Sequence, residues 1–298
     1  MKRKLDFSTL SDLIVRSLEF SEKFTTLHKV IANSPDINKA VRNIGLKSLL
    51  IAITLLNSSS GFIKPNYKLD VVIIDAGHGG KDPGTQGKNS KEKDIALKIS
   101  LKLGKLIEEN LKDVKVIYTR KTDTYLAYYE RPVIANKAKA DLFICIHANS
   151  NPNTMAYGTE TYVMGLEKGE KNFEVAKREN SAILLDENQE KYEGFDNSPE
   201  SYILFSVTQS AYQASSMSFA NRVERQFKGT AARHSRGVKQ GPFWVLWSTA
   251  MPSVLIETGF LSNPTEEKYL LSNQGQDAIA LGIYRAFKEY KEELESVN

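Results

Sequence analysis

Four side chains in this sequence have the types and the placement to build a hydrolytic metal centre: His78, Glu92, His147 and Glu257. His78 follows the apolar run Val71-Val-Ile-Ile-Asp75, His147 ends Leu142-Phe-Ile-Cys-Ile-His147, and Glu257 ends Ser253-Val-Leu-Ile-Glu257. Glu92 falls in Asn89-Ser-Lys-Glu-Lys-Asp94, where a helical pattern opens. In open α/β sheets, reactive groups gather at the carboxyl ends of strands. Two imidazoles and a carboxylate, with a fourth position left for water, are a ligand set for catalytic zinc. Such an ion acidifies a water molecule and polarises the scissile carbonyl. Glu257 then remains as the general base, taking the water's proton and passing it to the leaving amine. A lone carboxylate directly after Val-Leu-Ile is otherwise costly to bury.

Taken singly, each residue has a plainer reading. His78 could be a loop histidine whose neighbouring glycines serve a tight turn, and His147 a satisfied histidine at a strand end. Glu92 could close a capping box with Asn89, and Glu257 could pair with an arginine. Cys145, two residues before His147, reads as a core residue. The shared placement at strand ends and a helix start is what joins the four. The glycine-rich stretch Gly77–Gly84 lacks the Gly-Lys-Ser/Thr ending of a P-loop and the spacing of a dinucleotide fingerprint. The zinc-protease pattern His-Glu-x-x-His is also absent.

The elements that must position these groups alternate. Val71–Asp75, Val114–Thr119, Leu142–His147, Gly158–Val163 and Ser253–Glu257 read as strands, mostly apolar throughout as in a buried sheet. Ile95, Ile99, Leu103, Leu106 and Ile107 follow helical spacing to Asn110. Glu130–Ala140 reads as a helix with Pro132 in its first turn, and Asp277–Leu294 as a closing amphipathic helix. This succession predicts an α/β single domain over 68–298, with a mostly parallel twisted sheet flanked by helices. Between residues 164 and 216 the character turns polar and charged, which predicts a helical insertion carried on the core.

Composition narrows the partners. The chain of 298 residues carries 40 basic and 36 acidic side chains, a net charge of +4. The cations are scattered, which disfavours nucleic acid. One cysteine excludes an intramolecular disulfide and a thiolate metal cluster. Leu46–Leu56 is apolar but too short to span a bilayer, so no stable membrane span is expected there. Basic residues precede it and Asn57-Ser-Ser-Ser-Gly61 follows, the layout of a secretory signal over 41–61. The expected location is the periplasm or cell envelope. Residues 1–40 form a poorly defined polar extension ahead of that signal, and the layout predicts translation starting near Val41.

The ordered motifs also resemble a known family. Ile74-Asp-Ala-Gly-His-Gly-Gly-Lys-Asp-Pro-Gly84, Lys91-Glu-Lys-Asp94, Tyr118-Thr-Arg120, Glu130-Arg131, Ala135-Asn136, Ile146-His-Ala-Asn149 and Val254-Leu-Ile-Glu-Thr-Gly-Phe-Leu-Ser-Asn263 are similar to those of the zinc-dependent N-acetylmuramoyl-L-alanine amidases. The resemblance runs from about Val71 to the last helix, with Ala76 where the family usually has proline. It implies zinc ligands at His78, Glu92 and His147, a catalytic Glu257, and cleavage of peptidoglycan between N-acetylmuramic acid and L-alanine. The insertion resembles the cell-separation type, in which an inserted helix covers the metal until a LytM-type activator displaces it. Within Val175-Ala-Lys-Arg-Glu-Asn180, Glu179 is then the candidate autoinhibitory zinc ligand, with Glu174 second. Two other readings use the same residues: a non-catalytic peptidoglycan-binding protein and a zinc carboxypeptidase acting on stem peptides. The latter usually pairs its ligands as His-x-x-Glu, whereas His78 and Glu92 lie fourteen residues apart.

Overall fold

Alternation along the strands decides where the site forms. The computed structural model describes residues 68–165, 170–192 and 199–296, all within one unit, Pro65–Asn298. The expected N-terminal extension at 1–40 and signal at 41–61 lie outside the described residues. Six strands, β1 (Val71–Ala76), β2 (Lys115–Tyr118), β3 (Leu142–Asn149), β4 (Thr159–Met164), β5 (Ser235–Gly241) and β6 (Ser253–Phe260), form one sheet in the order β2-β1-β3-β6-β4-β5. Neighbours are parallel except at β4–β6, which is antiparallel, so the sheet is mixed and mostly parallel.

Successive side chains on a strand point to opposite faces. Val72 and Ile74 of β1, Leu142, Ile144 and Ile146 of β3, and Val254 and Ile256 of β6 face one layer. That layer is α1 (Glu92–Asn110), α4 (Pro199–Gly229) and α7 (Asn273–Ser296). Ile95, Ile99, Leu103 and Ile107 are its buried stripe on α1. Ile73, Phe143, Cys145, Tyr162, Met164 and Leu255 face the other side. They pack against α2 (Glu130–Ala138), α3 (Glu170–Asn180) and the short α5 (Trp244–Trp247). By the same alternation Asp75, His147, Glu160 and Glu257 belong to this second face.

Strand ends differ from the sequence expectation. β3 continues past His147 to Asn149, with a register shift between those two residues, and β6 continues past Glu257 to Phe260. His147 and Glu257 are therefore inside their strands, directly paired in register. The expected insertion at 164–216 contains α3 and two 3₁₀ turns, Ser181–Leu185 and Gln189–Tyr192. The helix α4 runs through 216 without a break, and its later turns bury Phe219, Val223 and Phe227 in the main core. A final helix pair, α6 (Pro264–Leu271) and α7, closes the chain.

Candidate metal centre

His78 sits in the loop leaving β1 with φ +60°, a left-handed conformation that side chains rarely adopt. Two buried arginines hold the loop there. Arg120 donates from Nε to Ala76 O (3.0 Å) and from Nη2 to Gly77 O (2.7 Å) and Lys93 O (2.8 Å). Arg131 donates to Ala76 O (2.8 Å) and to His78 O itself (2.9 Å). Asp75 fixes Arg131 in turn at 2.8 Å and also accepts from Thr119 and Cys145. Burial would raise the Asp75 carboxyl, but Arg131 and these donors outweigh it and hold it below its ordinary value. Burial pushes the Cys145 thiol up to about 12, so it stays a neutral donor.

Gly77 and Gly84 let His78, Glu92 and His147 approach one another closely. A Cβ on Gly77 would lie 2.5 Å from the His147 ring, and one on Gly84 2.5 Å from the His78 ring and 2.6 Å from Glu92 Oε2. Gly84 also has φ +63°.

Glu92 begins α1 and is fully buried. The capping box with Asn89, the plainer alternative for Glu92, does not form, because Lys91 occupies the N-cap without a side-chain bond. The Glu92 carboxylate instead accepts the backbone N–H of Thr85 (2.7 Å) and of Ala148 (2.9 Å). It thereby joins the His78 loop to β3.

The three candidate ligands from the sequence meet, and Glu179 joins them. Ligand atoms of His78, Glu92, His147 and Glu179 all lie within 4.8 Å of one another, and all four residues are buried. His78 Nε2 is 3.2 Å from both Glu92 Oε2 and Glu179 Oε2. His147 Nδ1 is 2.9 Å from Glu92 Oε1 and 3.0 Å from Glu179 Oε2. Two ligands each about 2 Å from a tetrahedral metal stand about 3.3 Å apart, so these separations suit a shared ion. His78 Nε2 and Glu179 Oε2 are buried without a hydrogen-bond partner, which is costly unless a cation completes them. His78 Nδ1 lies 2.8 Å from Asp82 Oδ2, orienting the ring so that Nε2 faces the cluster. Glu174, the second choice, is exposed.

Charge is balanced tightly here. Burial lowers the proton affinity of both imidazoles, but Glu92 beside His78 and Glu179 beside His147 raise it well above 6.5. Burial opposes ionisation of Glu92, yet His78 and the other donors bring its carboxyl to about 2. Glu179 is held well below the usual carboxylate range against its burial, chiefly by Arg178 and His147.

Glu257, register partner of His147, is fully buried, and its Oε2 has no hydrogen-bond partner. Burial and the charge of Glu179 push its carboxyl well above the ordinary range. The arginine that the plainer reading supplied for it is Arg178, 3.5 Å away. Sequence reasoning assigned no role to Arg178, Asp82, Arg120, Arg131 or Asp75. The sequence signal for the loop clamp was Tyr118-Thr-Arg120 and Glu130-Arg131, two arginines placed one after a strand and one in a helix's first turn.

A buried imidazole–carboxylate cluster that could hold a metal ion, beside a buried carboxyl of raised proton affinity on one face of an α/β sheet, fits the class of metal-dependent hydrolases. Residues 72–289 match the family model described as N-acetylmuramoyl-L-alanine amidase, and the chain belongs to that family of peptidoglycan-hydrolysing enzymes. It is 32% identical to the N-acetylmuramoyl-L-alanine amidase AmiA of Escherichia coli over 254 residues, 83% of this chain and 86% of that one. Among solved structures, the catalytic domain of the amidase CwlV from Bacillus (Paenibacillus) polymyxa aligns with a TM-score of 0.56. Its identity is 32%, over 75% of this chain and 98% of that one. An amidase from Clostridium difficile aligns with a TM-score of 0.57 at 29% identity, over 76% of this chain and 98% of that one.

Proposed function

We propose that this amidase cuts the bond between the lactyl group of N-acetylmuramic acid and L-alanine at a zinc site formed by His78, Glu92 and His147. The convergence of partnerless His78 Nε2 and Glu179 Oε2 at tetrahedral spacing carries this reading. Two imidazole nitrogens with carboxylate oxygens suit zinc, whereas calcium and magnesium take oxygen alone. Bound there, zinc supplies a Lewis acid for the scissile carbonyl and a water acidic enough to attack at neutral pH. Asp82 orients His78, and the N–H groups of Thr85 and Ala148 orient Glu92. Glu257 accepts the proton of the attacking water and delivers it to the L-alanine nitrogen as the amide breaks. A carboxyl with raised proton affinity suits both halves of that transfer.

Glu179 is proposed as the residue that fills the fourth position at rest, and 164–216 as the regulatory insertion that carries it. Arg178 reinforces this by lying against Glu257, so one helix end covers metal and base together. Release then requires a partner; a LytM-type activator at the envelope fits the resemblance of the insertion. Export through the segment at 41–61 agrees with a substrate that lies outside the cytoplasm. No helix among the described residues is long and apolar enough to cross a membrane.

The test is digestion of purified wall fragments by the zinc-loaded chain, with mass analysis of the products. Free stem peptides beginning in L-alanine are expected; shortened stem peptides still joined to sugar would instead mean a carboxypeptidase, and intact fragments a binding protein. Glu179→Ala is expected to raise the basal rate. An unchanged or lower rate in a folded, zinc-loaded variant would sink the self-inhibition.

A further inference from the structure

The second face of the sheet continues past Glu257 into a cationic cluster that the proposed reaction does not use. Antiparallel pairing sets Glu160 of β4 directly opposite Glu257 of β6. Glu160 is buried, and its Oε2 accepts from Tyr162 OH (2.7 Å) and Asn149 Nδ2 (3.1 Å). Its Oε1 accepts from Arg236 Nε and Lys239 Nζ, both at 2.5 Å. Two cations therefore share one carboxylate oxygen, leaving one positive charge in excess beside the catalytic glutamate.

The placement of those cations is built rather than incidental. Residues three apart on a regular strand face opposite sides. Here β5 shifts register against β4 between Thr159 and Thr161, and Gly237, between the two cations, has φ +84°. A bulge of this kind adds one residue to the strand and turns both cations to the face of Glu160. The Arg236 guanidinium lies 5.2 Å from the centre of the Phe260 ring, and Lys239 Nζ 5.8 Å from that of Tyr162. Both heads are held in place yet partly open, with 34% and 21% of their side-chain surface exposed.

Helix α3 lies across β5, and Asn180 at its end bonds to Pro242 O (2.9 Å) just past that strand. Arg178 of the same helix donates to Asn149 Oδ1 (3.0 Å), the side chain that also donates to Glu160. Helix α3 thus touches the metal cluster through Glu179 and Glu257 through Arg178, and connects to the cationic pair through Asn149 and Glu160. A muramoyl peptide is charged on one side only. Its sugars are neutral and its lactyl carboxyl is consumed in the amide, while the peptide beyond L-alanine carries free carboxylates.

We propose that Arg236 and Lys239 form a carboxylate subsite for the stem peptide, seating the residue after L-alanine over the β4–β5 edge and the sugar toward β3 and β1. The inference rests on the reading of the sheet face covered by α3 as the place where substrate binds.

The test uses the full zinc-loaded chain, native and Glu179→Ala, with two muramoyl peptides differing only in the residue after L-alanine, as D-glutamate or its amide. Charge-assisted contacts predict roughly tenfold higher kcat/KM for the free carboxylate, expressed in KM. Arg236→Ala and Lys239→Ala are each expected to lose most of that preference, read as the ratio of kcat/KM for the two peptides. Arg236→Lys should retain part of it. Each single variant leaves the other cation on Glu160, so the buried carboxylate stays paired. Equal cleavage of both peptides by the native chain, or an undiminished preference in both alanine variants, overturns the subsite and leaves the amidase reading intact. Cleavage of neither peptide by either form overturns the amidase reading, and the subsite falls with it.

Discussion

Burial strips water from the Glu257 carboxyl, and the charges of Glu179 and Glu92 further oppose its ionisation. Replacing it by glutamine preserves shape and removes the carboxylate oxygen that could take a proton. Loss of a positioned general base typically costs about 10²–10⁴-fold in rate, so Glu257→Gln should fall by that factor. Its zinc content, measured by elemental analysis, should stay at the native level. Loss of zinc along with rate would instead make Glu257 a ligand. Below the chemistry lies the Asp75–Arg131 pair, the arginine of which also grips the carbonyl of His78. Removing one partner of a buried pair leaves the other uncompensated, at a cost of about 3–5 kcal/mol. Arg131→Met should show that loss in denaturant unfolding and should weaken zinc binding, because His78 then relaxes from its left-handed conformation. The histidines and glutamates at the four sequence-derived positions were legible through their shared placement at strand ends and a helix start, since each alone has a plainer reading. Asp82, Arg120 and Arg131 were not, since their task is to hold backbone and ring atoms whose positions only the folded loop defines.

At the level of elements, α3 is secured from two sides. Glu179, Arg178 and Asn180 hold its end, and Asp186 anchors the segment that follows. Asp186 is buried and accepts from the hydroxyls of Tyr125 and Tyr192 and from the backbone N–H of Tyr128. Those partners belong mostly to the loop before α2, so the carboxylate ties the covering segment to the fixed frame. Asp186→Ala removes that tie without touching the metal cluster. Each 1.4 kcal/mol lost from the covered state multiplies the open population roughly tenfold. Basal wall hydrolysis should therefore rise, and the increment should shrink in a Glu179→Ala background already open. An unchanged rate in the folded variant would show that Asp186 supports the segment without restraining it. The strands β1, β3 and β6 were plain in the sequence because buried parallel strands are continuous apolar runs. β5 was not, because Ser-Arg-Gly-Val-Lys-Gln-Gly carries polar groups and a bulge instead of a hydrophobic period. The extent of α4 was hidden for a related reason: its first turns read as insertion, while its later turns bury Phe219 and Phe227 in the core.

Across the whole molecule, the cluster joins pieces remote in sequence: the loop after β1, the first turn of α1, the middle of β3 and the end of α3. An ion that binds only when all four meet stabilises the fold by mass action, about 4 kcal/mol at a thousandfold excess over Kd. For a domain of this size that is roughly a 10 °C rise in Tm. The pH dependence of the rise follows from the imidazoles. Without metal, neighbouring carboxylates raise the proton affinity of His78 and His147 well above 6.5, so both carry a proton near neutrality in the folded state. A raised folded pKa contributes stability that is fully present below the unfolded value and is lost as pH rises through the folded one. The metal-free chain should accordingly lose Tm as pH climbs from 6.5. Zinc must displace those same protons, so its affinity grows over the same interval. Calorimetric scans of metal-free and zinc-loaded chain should therefore diverge with increasing pH. Titration of zinc in buffers of different ionisation enthalpy should register proton release that declines toward alkaline pH. Parallel melting curves, or binding without proton release, would mean that His78 and His147 are neutral before the metal arrives and that Glu179 and Glu92 do not set their charge.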